Sequence, residues 1–445
     1  MILPDYAAGC IAALEAAGFS AYAVGGCVRD MVLGLTPQDY DLCTNALPEQ
    51  IRKVFQNRKL ILAGEKHGTV GVITEGGVVE ITTYRTEGNY RDHRHPDWVE
   101  FVDRIDGDLA RRDFTVNAMA WSPKRGFADP FGGRQDLQDR ILRAVGVPKD
   151  RFEEDSLRIL RGIRFAVRYR LAVEPETMEA MISLAPLMDS LARERVFDEL
   201  CKLLPLVTPE DLLRFAPILV QVLPELKETV GFSQHSPHHL YDVFTHTAMV
   251  TGGCPPDLTL RWAALLHDVG KVPTFCLDET GRGHFLGHAG VSAEMADAAL
   301  LRLKAPTALR KQVVFLIEKH MLPLAPDKKL LRRRLSRYGE APLRQLLMLQ
   351  QADFGGKGVL GEAPPTREIL ALLDEILAEN ACLTVKDLAV NGHDLMALGI
   401  TGRDIGQTLE ALLSQVLEEA LPNERSALLQ SAQALTRSPY GGNFL

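Results

Sequence analysis

An α/β head followed by an all-helical remainder is the fold class this sequence predicts, from two changes of pattern and one polar constellation. Residues 1–145 mix short β-rich runs, glycines and helical stretches. From about residue 150 onward, Leu, Ala, Arg and Glu recur at helical spacing with few strand-like runs. The third observation is AYAVGGCVRDMVLGLTPQDYDLCTNA at Ala21–Ala46, which sets a Gly-Gly turn, an Arg and two carboxylates in one short span.

Within that span, Tyr22–Val24 reads as a short buried strand, Gly25-Gly26 as a tight turn and Val28–Leu33 as the start of a helix. Glycines at such a turn let backbone N–H groups approach an anion, and the helix N-terminus adds partial positive charge. Arg29 would supply a charge-assisted contact to a phosphate. After Thr36-Pro37, Asp39 and Asp41 sit two apart in an extended segment, so both carboxylates leave the same face. Such a pair repels unless a cation lies between, and hard cations such as Mg²⁺ take oxygen ligands and bridge to substrate phosphates. Glu80 lies in VVEITTYR, which reads as a strand over Val78–Thr83 with Val78, Glu80 and Thr82 on one face. Asp39, Asp41 and Glu80 would then hold two metals, one activating an attacking hydroxyl and one stabilising a leaving pyrophosphate. Singly, each of these features is common surface structure. Their ordered combination is specific.

GGCVRD, DYDLCTNA and VEITTYR resemble the head of bacterial-type (class II) tRNA nucleotidyltransferases and the related poly(A) polymerases. The resemblance continues through RRDFTVNAMA (Arg111–Ala120), DPFGGRQDLQDRILRAVG (Asp129–Gly146), FEEDSLRILRGIRFA (Phe152–Ala166) and ARERVFDELCKLL (Ala192–Leu204). The blocks come in the family's order over roughly the first half of the chain. The implied head is a polymerase-β-like mixed sheet with helices, followed by an all-α neck, body and tail.

The helix expected to begin near Glu154 is the candidate base-selecting element. At about 100° per residue, Asp155, Arg158 and Arg161 fall within an arc of about 120°, while Leu157, Leu160, Ile163 and Val167 form a separate apolar stripe. The residues alone favour an amphipathic helix with a solvated Arg face. An Asp offers acceptors and an Arg donors, and together they can address the Watson–Crick edge of cytosine or adenine. In the family this block resembles, the EDxxR segment is a protein template for the incoming base. The resemblance implies that Asp155 and Arg158 read the base and Glu154 fixes their orientation. Arg161 and Arg164 would contact nucleotide phosphates or brace the site. It likewise implies that Arg112 and Asp113 of RRDFTxNA contact ribose and triphosphate, with Arg111 and Asn117 in the same cluster. Residues between Arg85 and Asp108 match the family's flexible loop, associated with the switch to adenosine addition, which argues against an enzyme that adds only cytidines.

A second constellation follows: His246 on an expected helix, His267-Asp268 at a helix end, His288, His320 and Asp353. This H…HD…H…H…D order resembles the HD phosphohydrolase superfamily. Imidazole and carboxylate together suit Mn²⁺, Fe²⁺, Co²⁺ or Ni²⁺ better than Mg²⁺. A metal there would polarise a phosphate and generate a hydroxide. For each histidine the alternative is packing or capping, and an HD fold also persists as an RNA-binding scaffold. The expected division is a head at 1–145, a helical neck with RNA and nucleotide contacts at 146–230, an HD region at 231–360 and a helical tail at 361–445.

Composition narrows the class without identifying it. The 445 residues exceed one core, and 46% hydrophobic with 24% charged content is ordinary globular composition. MILPDYAAGC lacks a cationic start and no apolar run is long enough to span a bilayer, so a cytoplasmic protein without membrane contact is expected. Seven scattered cysteines with no CxxC suit a reducing compartment. The net charge of −8 means that any phosphate-binding surface must be a local patch. Arg302–Arg337 is the most basic stretch, open to reading as a solvated face or as a dock for tRNA phosphates. The resemblance implies an enzyme that builds or repairs the CCA end of tRNA from CTP and ATP with Mg²⁺. The alternatives are a poly(A) polymerase or A-adding enzyme, an HD phosphohydrolase with a relic head, and a noncatalytic RNA-binding protein. The intact carboxylates and base-reading block weigh against the last two.

Overall fold

The computed structural model describes residues 1–88, 99–236, 239–358, 363–379 and 381–437. They fall into two compact units, Met1–Lys227 with Arg302–Ala305 and Glu228–Leu301 with Pro306–Leu445. Of the boundaries expected from the sequence, the one near 230 lies at this division, while those near 145 and 360 lie inside a unit.

The first unit is built on a seven-stranded mixed sheet. Its strands are β1 (Ala21–Val24), β2 (Leu42–Thr44), β3 (Leu60–Ile61), β4 (Thr69–Thr74), β5 (Gly77–Thr83), β8 (Ala120–Ser122) and β9 (Gly126–Ala128), in the order β3-β4-β5-β2-β1-β8-β9. Only β2 and β5 run parallel, with Leu42 opposite Ile81 and Cys43 opposite Thr82. Val79, Ile81 and Thr83 are buried while Val78 and Glu80 are exposed, so β5 has the two-faced pattern its alternation predicts. Between β5 and β8, β6 (Arg85–Glu87) pairs antiparallel with β7 (Val99–Phe101). Much of the loop matched to the family's flexible loop lies between these two strands, and residues 89–98 are outside the described residues.

Helix α1 (Asp5–Ala16) precedes β1 and α2 (Gly26–Val32) follows it, while α3 (Pro48–Val54), α4 (Ile105–Ala110) and α5 (Gly133–Gln138) complete the head. The segment expected to read the base differs from its expected conformation. Helix α6 (Pro148–Glu154) ends at Glu154, Asp155 is extended at φ −142° and ψ 99°, and α7 (Leu157–Tyr169) starts afresh after Ser156. The reason is local: Asp155 Oδ1 accepts the Leu157 N–H at 3.1 Å, the alternative to helix that a short acidic side chain offers the backbone. The apolar stripe Leu157, Leu160, Ile163 and Val167 is buried as expected.

One glycine in α7 is fixed by packing. A Cβ on Gly162 would lie 2.9 Å from Phe114 Cζ and 3.2 Å from Met181 Cε. Phe114 is fully buried and packs edge-on against Phe165, with centroids 5.9 Å apart. Gly162→Val is therefore expected to destabilise the unit by about 1–3 kcal/mol through overpacking. An unchanged thermal midpoint would show that Phe114 is not held in this way.

Among the described residues, the second unit is helical apart from one hairpin, Phe275–Leu277 with Gly283–Phe285. Its apolar core includes Leu331, Leu335, Leu343, Leu347, Ile369, Leu373 and Ile376. No helix among the described residues is long and apolar enough to cross a membrane.

Candidate active site and a second ligand cluster

Strand register builds an acidic face in the first unit. Asp41 and Glu80 each precede a paired residue of the parallel β2–β5 ladder, Leu42 and Ile81. Those two point into the core, so Asp41 and Glu80 point out side by side, and Asp39 joins them two residues earlier. All three are exposed. Crowding by protein, then the charges of Asp39 and Glu80, push the Asp41 carboxyl up to about 6, with Arg112 opposing. Because the residue still faces solvent, repulsion by its neighbours is the part a cation would relieve. Among the described residues, these three do not close to within 4.8 Å of one another as a second cluster does.

Gly25 has φ +75°, and a Cβ there would meet Arg112 Nη1 at 2.7 Å, so only glycine lets the turn and the guanidinium approach each other. Arg112 is held by Asp108 at 3.2 Å and Arg111 by the same carboxylate at 2.8 Å. Arg112 Nε is buried without a hydrogen-bond partner. Asp113 is buried, and its oxygens accept from Arg161, Asn117 and the Phe114 N–H. Burial alone would raise it, but Arg161 and Asn117 hold it down to about 2. With its acceptors taken, Asp113 positions Arg161 and Asn117.

The segment around Glu154–Arg158 is braced from several sides. Arg158 Nη1 donates to Glu154 Oε2 at 2.6 Å and to the Arg151 carbonyl at 3.0 Å, and Nη2 donates to the Arg111 carbonyl at 3.1 Å. Glu154 thus fixes the Arg158 guanidinium by an ion pair. Arg195 holds Asp155 Oδ2 at 2.8 Å. Arg164 is spent on Glu199 at 2.6 Å, both nearly buried, and stacks over Phe165. Arg29 is also enclosed: it is 6% exposed, lies over the Tyr169 ring at 4.3 Å, and donates to Asn117 Oδ1 and Asp30 Oδ1. In this arrangement Arg29 and Arg164 brace the site, and Arg112 stands at the turn.

In the second unit, all six residues of the later constellation converge. His246 and His267 are fully buried, Asp268 is 1% and His320 4% exposed. Four rings share one orientation. Nδ1 of His246, His267, His288 and His320 lies 3.0, 2.7, 2.8 and 2.7 Å from the carbonyls of Gly356, Ala264, Phe285 and Ile317. A carbonyl only accepts, so each Nδ1 is the donor and each Nε2 is left to face the centre. There, His246 Nε2 is 3.0 Å from Asp353 Oδ1, His267 Nε2 is 3.2 Å from Asp268 Oδ2, and His288 Nε2 is 3.5 Å from Asp268 Oδ1. Two triads, His246–His267–Asp268 and Asp268–His288–His320, each bring ligand atoms within 4.8 Å and share Asp268. Burial would depress His267, but Asp268 and Asp353 push it up to about 10, whereas burial leaves His320 down at about 4. Both Asp268 oxygens are buried without a well-aligned hydrogen bond, although Lys271 Nζ lies 2.7 Å from Oδ2. Imidazoles anchored through Nδ1 around the buried Asp268 carboxylate are a donor set that fits a metal. A cavity of about 250 Å³ opens beside it, lined by His239, Lys271 and Lys357 among others.

Comparison with known proteins places the first unit and then the chain. Residues 21–143 match the family model described as "Poly A polymerase head domain", and residues 170–229 the "Probable RNA and SrmB- binding site of polymerase A". Residues 283–432 match a tRNA nucleotidyltransferase domain 2. The CCA-adding enzyme of Levilactobacillus brevis is 35% identical over 420 residues, 94% of each chain. The chain belongs to the CCA-adding enzyme family. The CCA-adding enzyme of Streptococcus thermophilus is 32% identical over 425 residues, 95% of this chain and 94% of its own. A crystal structure of the Bacillus stearothermophilus CCA-adding enzyme in complex with CTP matches with a TM-score of 0.72 at 28% identity, covering 98% of both chains.

Several residues that shape the site in this member of the CCA-adding enzyme family escaped the motif reading. Asp108 orients both Arg111 and Arg112 from three and four residues upstream, a helical spacing that was open to inspection. Glu199, Arg195 and the Tyr169 hydroxyl act across 35, 40 and 139 residues, on Arg164, Asp155 and Arg29's neighbour Asp30, where no spacing rule reaches.

Proposed function

We propose that this chain adds or repairs the 3′-terminal CCA of tRNA, taking CTP and ATP in a single site on the first unit. One observation carries the reading. The Arg158 guanidinium, locked by Glu154, bonds the carbonyl of Arg111, and the next residue, Arg112, stands over the Gly25 turn and acts on Asp41. Base-reading and phosphate-facing groups are therefore parts of one network. Its relatives are CCA-adding enzymes along nearly their whole length.

Cytosine and adenine share a pattern that uracil and guanine invert: an exocyclic amine that donates beside a ring nitrogen that accepts. An Asp155 oxygen accepting from the amine and an Arg158 N–H donating to the ring nitrogen admit C and A and reject U and G. The Gly25 N–H is committed to the Met119 carbonyl at 3.1 Å, so the Gly26 backbone N–H and the Arg112 guanidinium take the triphosphate, while Asn117, Asp113, Arg161, Arg164 and Arg29 hold these groups in place. The tRNA 3′ oxygen forms a bond to the α-phosphorus and pyrophosphate departs. Asp39, Asp41 and Glu80 would hold Mg²⁺, which supplies charge neutralisation at the reacting phosphate and activation of the hydroxyl. Asp155→Ala or Arg158→Ala is expected to lower selectivity for CTP and ATP over UTP and GTP by about 5- to 150-fold, the worth of about 1–3 kcal/mol for one well-placed pair. Intact selectivity with a lower rate would assign these residues to something other than the base.

The second cluster supports a second reading of another class. Four Nδ1-anchored histidines with Asp268 and Asp353 form an HD-type phosphohydrolase site for a transition metal such as Mn²⁺, Fe²⁺, Co²⁺ or Ni²⁺. Such a metal supplies a polarised phosphate and a bound hydroxide. Lys271 and Lys357, beside the 250 Å³ cavity, provide cationic contacts for a phosphate ester.

A further inference from the structure

The basic stretch from Arg302 to Arg337 divides into two kinds of charge. Lys328, Lys329, Arg332 and Arg333 pair with Glu375, Glu379, Glu418 and Glu419, so they hold the helices of the second unit together. A different set surrounds two aromatic rings. Lys311, Phe315 and Lys319 are spaced four apart on helix Thr307–Lys319 and share one stripe. Arg337 and Tyr338 close the helix Lys328–Tyr338 opposite them. With Gln312 they line a cavity of about 390 Å³.

Its geometry is a stacking platform ringed by cations. The Phe315 and Tyr338 rings lie 5.2 Å apart at 59°, and the Arg337 guanidinium lies 5.4 Å from the Tyr338 centroid. Both rings are half-buried, while Lys311, Gln312 and Arg337 are exposed. Glu318 pairs with Lys319, and among the described residues Lys311 and Arg337 have no carboxylate partner. On a chain of net charge −8, this concentrates unspent positive charge around two π-faces. Unpaired bases of RNA stack on aromatic side chains while cations follow the backbone phosphates.

We infer that this pocket holds one unpaired nucleotide of the tRNA substrate, its base against Phe315 and Tyr338 and its flanking phosphates on Lys311 and Arg337. The inference rests on the reading that the chain acts on tRNA. It adds a docking point on the second unit that the nucleotidyl-transfer residues do not supply.

The test is the affinity of wild type, Phe315→Leu, Tyr338→Leu, Tyr338→Phe and Lys311→Ala for tRNA lacking CCA, by fluorescence anisotropy across a salt series. Thermal midpoints are taken in parallel, so that Lys311→Ala decides the matter where a leucine variant fails to fold. The two leucine variants are expected to bind about 5- to 150-fold more weakly, the loss of one base stack worth about 1–3 kcal/mol. Tyr338→Phe should bind as wild type. Lys311→Ala should lower the slope of log affinity against log salt by about one. The KM for CTP and the rate at saturating tRNA should stay unchanged in all four. Wild-type tRNA affinity in the leucine variants, with CCA addition intact, overturns the pocket and leaves the proposed function standing. Absence of both CCA addition and tRNA binding in wild type overturns the function and the pocket with it. Weaker binding of polyglutamate with unchanged tRNA binding would assign the pocket to an acidic protein segment, and that also overturns it.

Discussion

Asp41→Ala is expected to abolish addition of cytidine and adenosine together, by about 10³-fold or more, since several kcal/mol of transition-state stabilisation depend on one shared metal site. Asp39→Ala should do the same, because both carboxylates leave the same face beside Glu80. Loss of folding is the competing explanation, and the electrostatics separate it. The Asp41 pKa is about 6 in the folded chain and 3.8 without the fold, so the ionised carboxylate opposes folding at neutral pH. That opposition is absent below about pH 4 and complete above pH 6. Asp41→Asn should therefore melt no lower than wild type at pH 7.5, by on the order of 1 kcal/mol in its favour once water on the open side is allowed for. Near-normal CTP incorporation by Asp41→Ala would sink the single-site account. A lower melting point for Asp41→Asn at pH 7.5 would mean that the carboxylate stabilises the fold instead.

His267→Ala combined with Asp268→Ala should remove all phosphodiesterase or phosphatase activity measured with Mn²⁺, Co²⁺ or Ni²⁺. Asp268 serves both triads, so its loss disables the whole cluster at once. Nucleotide addition with Mg²⁺ should persist, since the oxygen-only face and the imidazole cluster belong to different compact units and favour different metals. Asp39→Ala should conversely leave hydrolysis unchanged. Wild type, both variants and Asp268→Asn would be assayed on 2′,3′-cyclic nucleotides, a simple phosphate ester and end-trimmed tRNA. No hydrolysis by wild type with any of these metals, and no transition metal retained on purification, would reduce the cluster to architecture. Loss of hydrolysis in Asp39→Ala would mean one coupled site, contrary to this account.

What the sequence made legible was local or strictly ordered. The alternation in VVEITT marks β5 and the outward face of Glu80 because strand periodicity is a property of neighbours. The Gly25 turn and the order of the six histidine and aspartate residues are equally visible. Helical spacing from Asp155 through Arg158 and Arg161 predicts one continuous helix. The Asp155 side chain takes the Leu157 N–H and starts a new helix there. Arg29 and Arg164 look free for phosphate in the motif, yet Tyr169 and Glu199 enclose them from other parts of the chain. The basic run 328–333 looks like an RNA surface until Glu375, Glu379, Glu418 and Glu419 fold against it. The ring orientation at the second cluster rests on backbone carbonyls, which carry no sequence identity.

The proposed function requires one protein-templated site to select C and then A for the tRNA end. Its most direct test incubates wild-type protein with tRNA ending at the position before CCA, Mg²⁺ and all four nucleoside triphosphates together, and sequences the product 3′ ends. The expected ends read CCA and stop. Runs of A, addition of A only to tRNA already ending in CC, or ends containing U and G would contradict the proposed function.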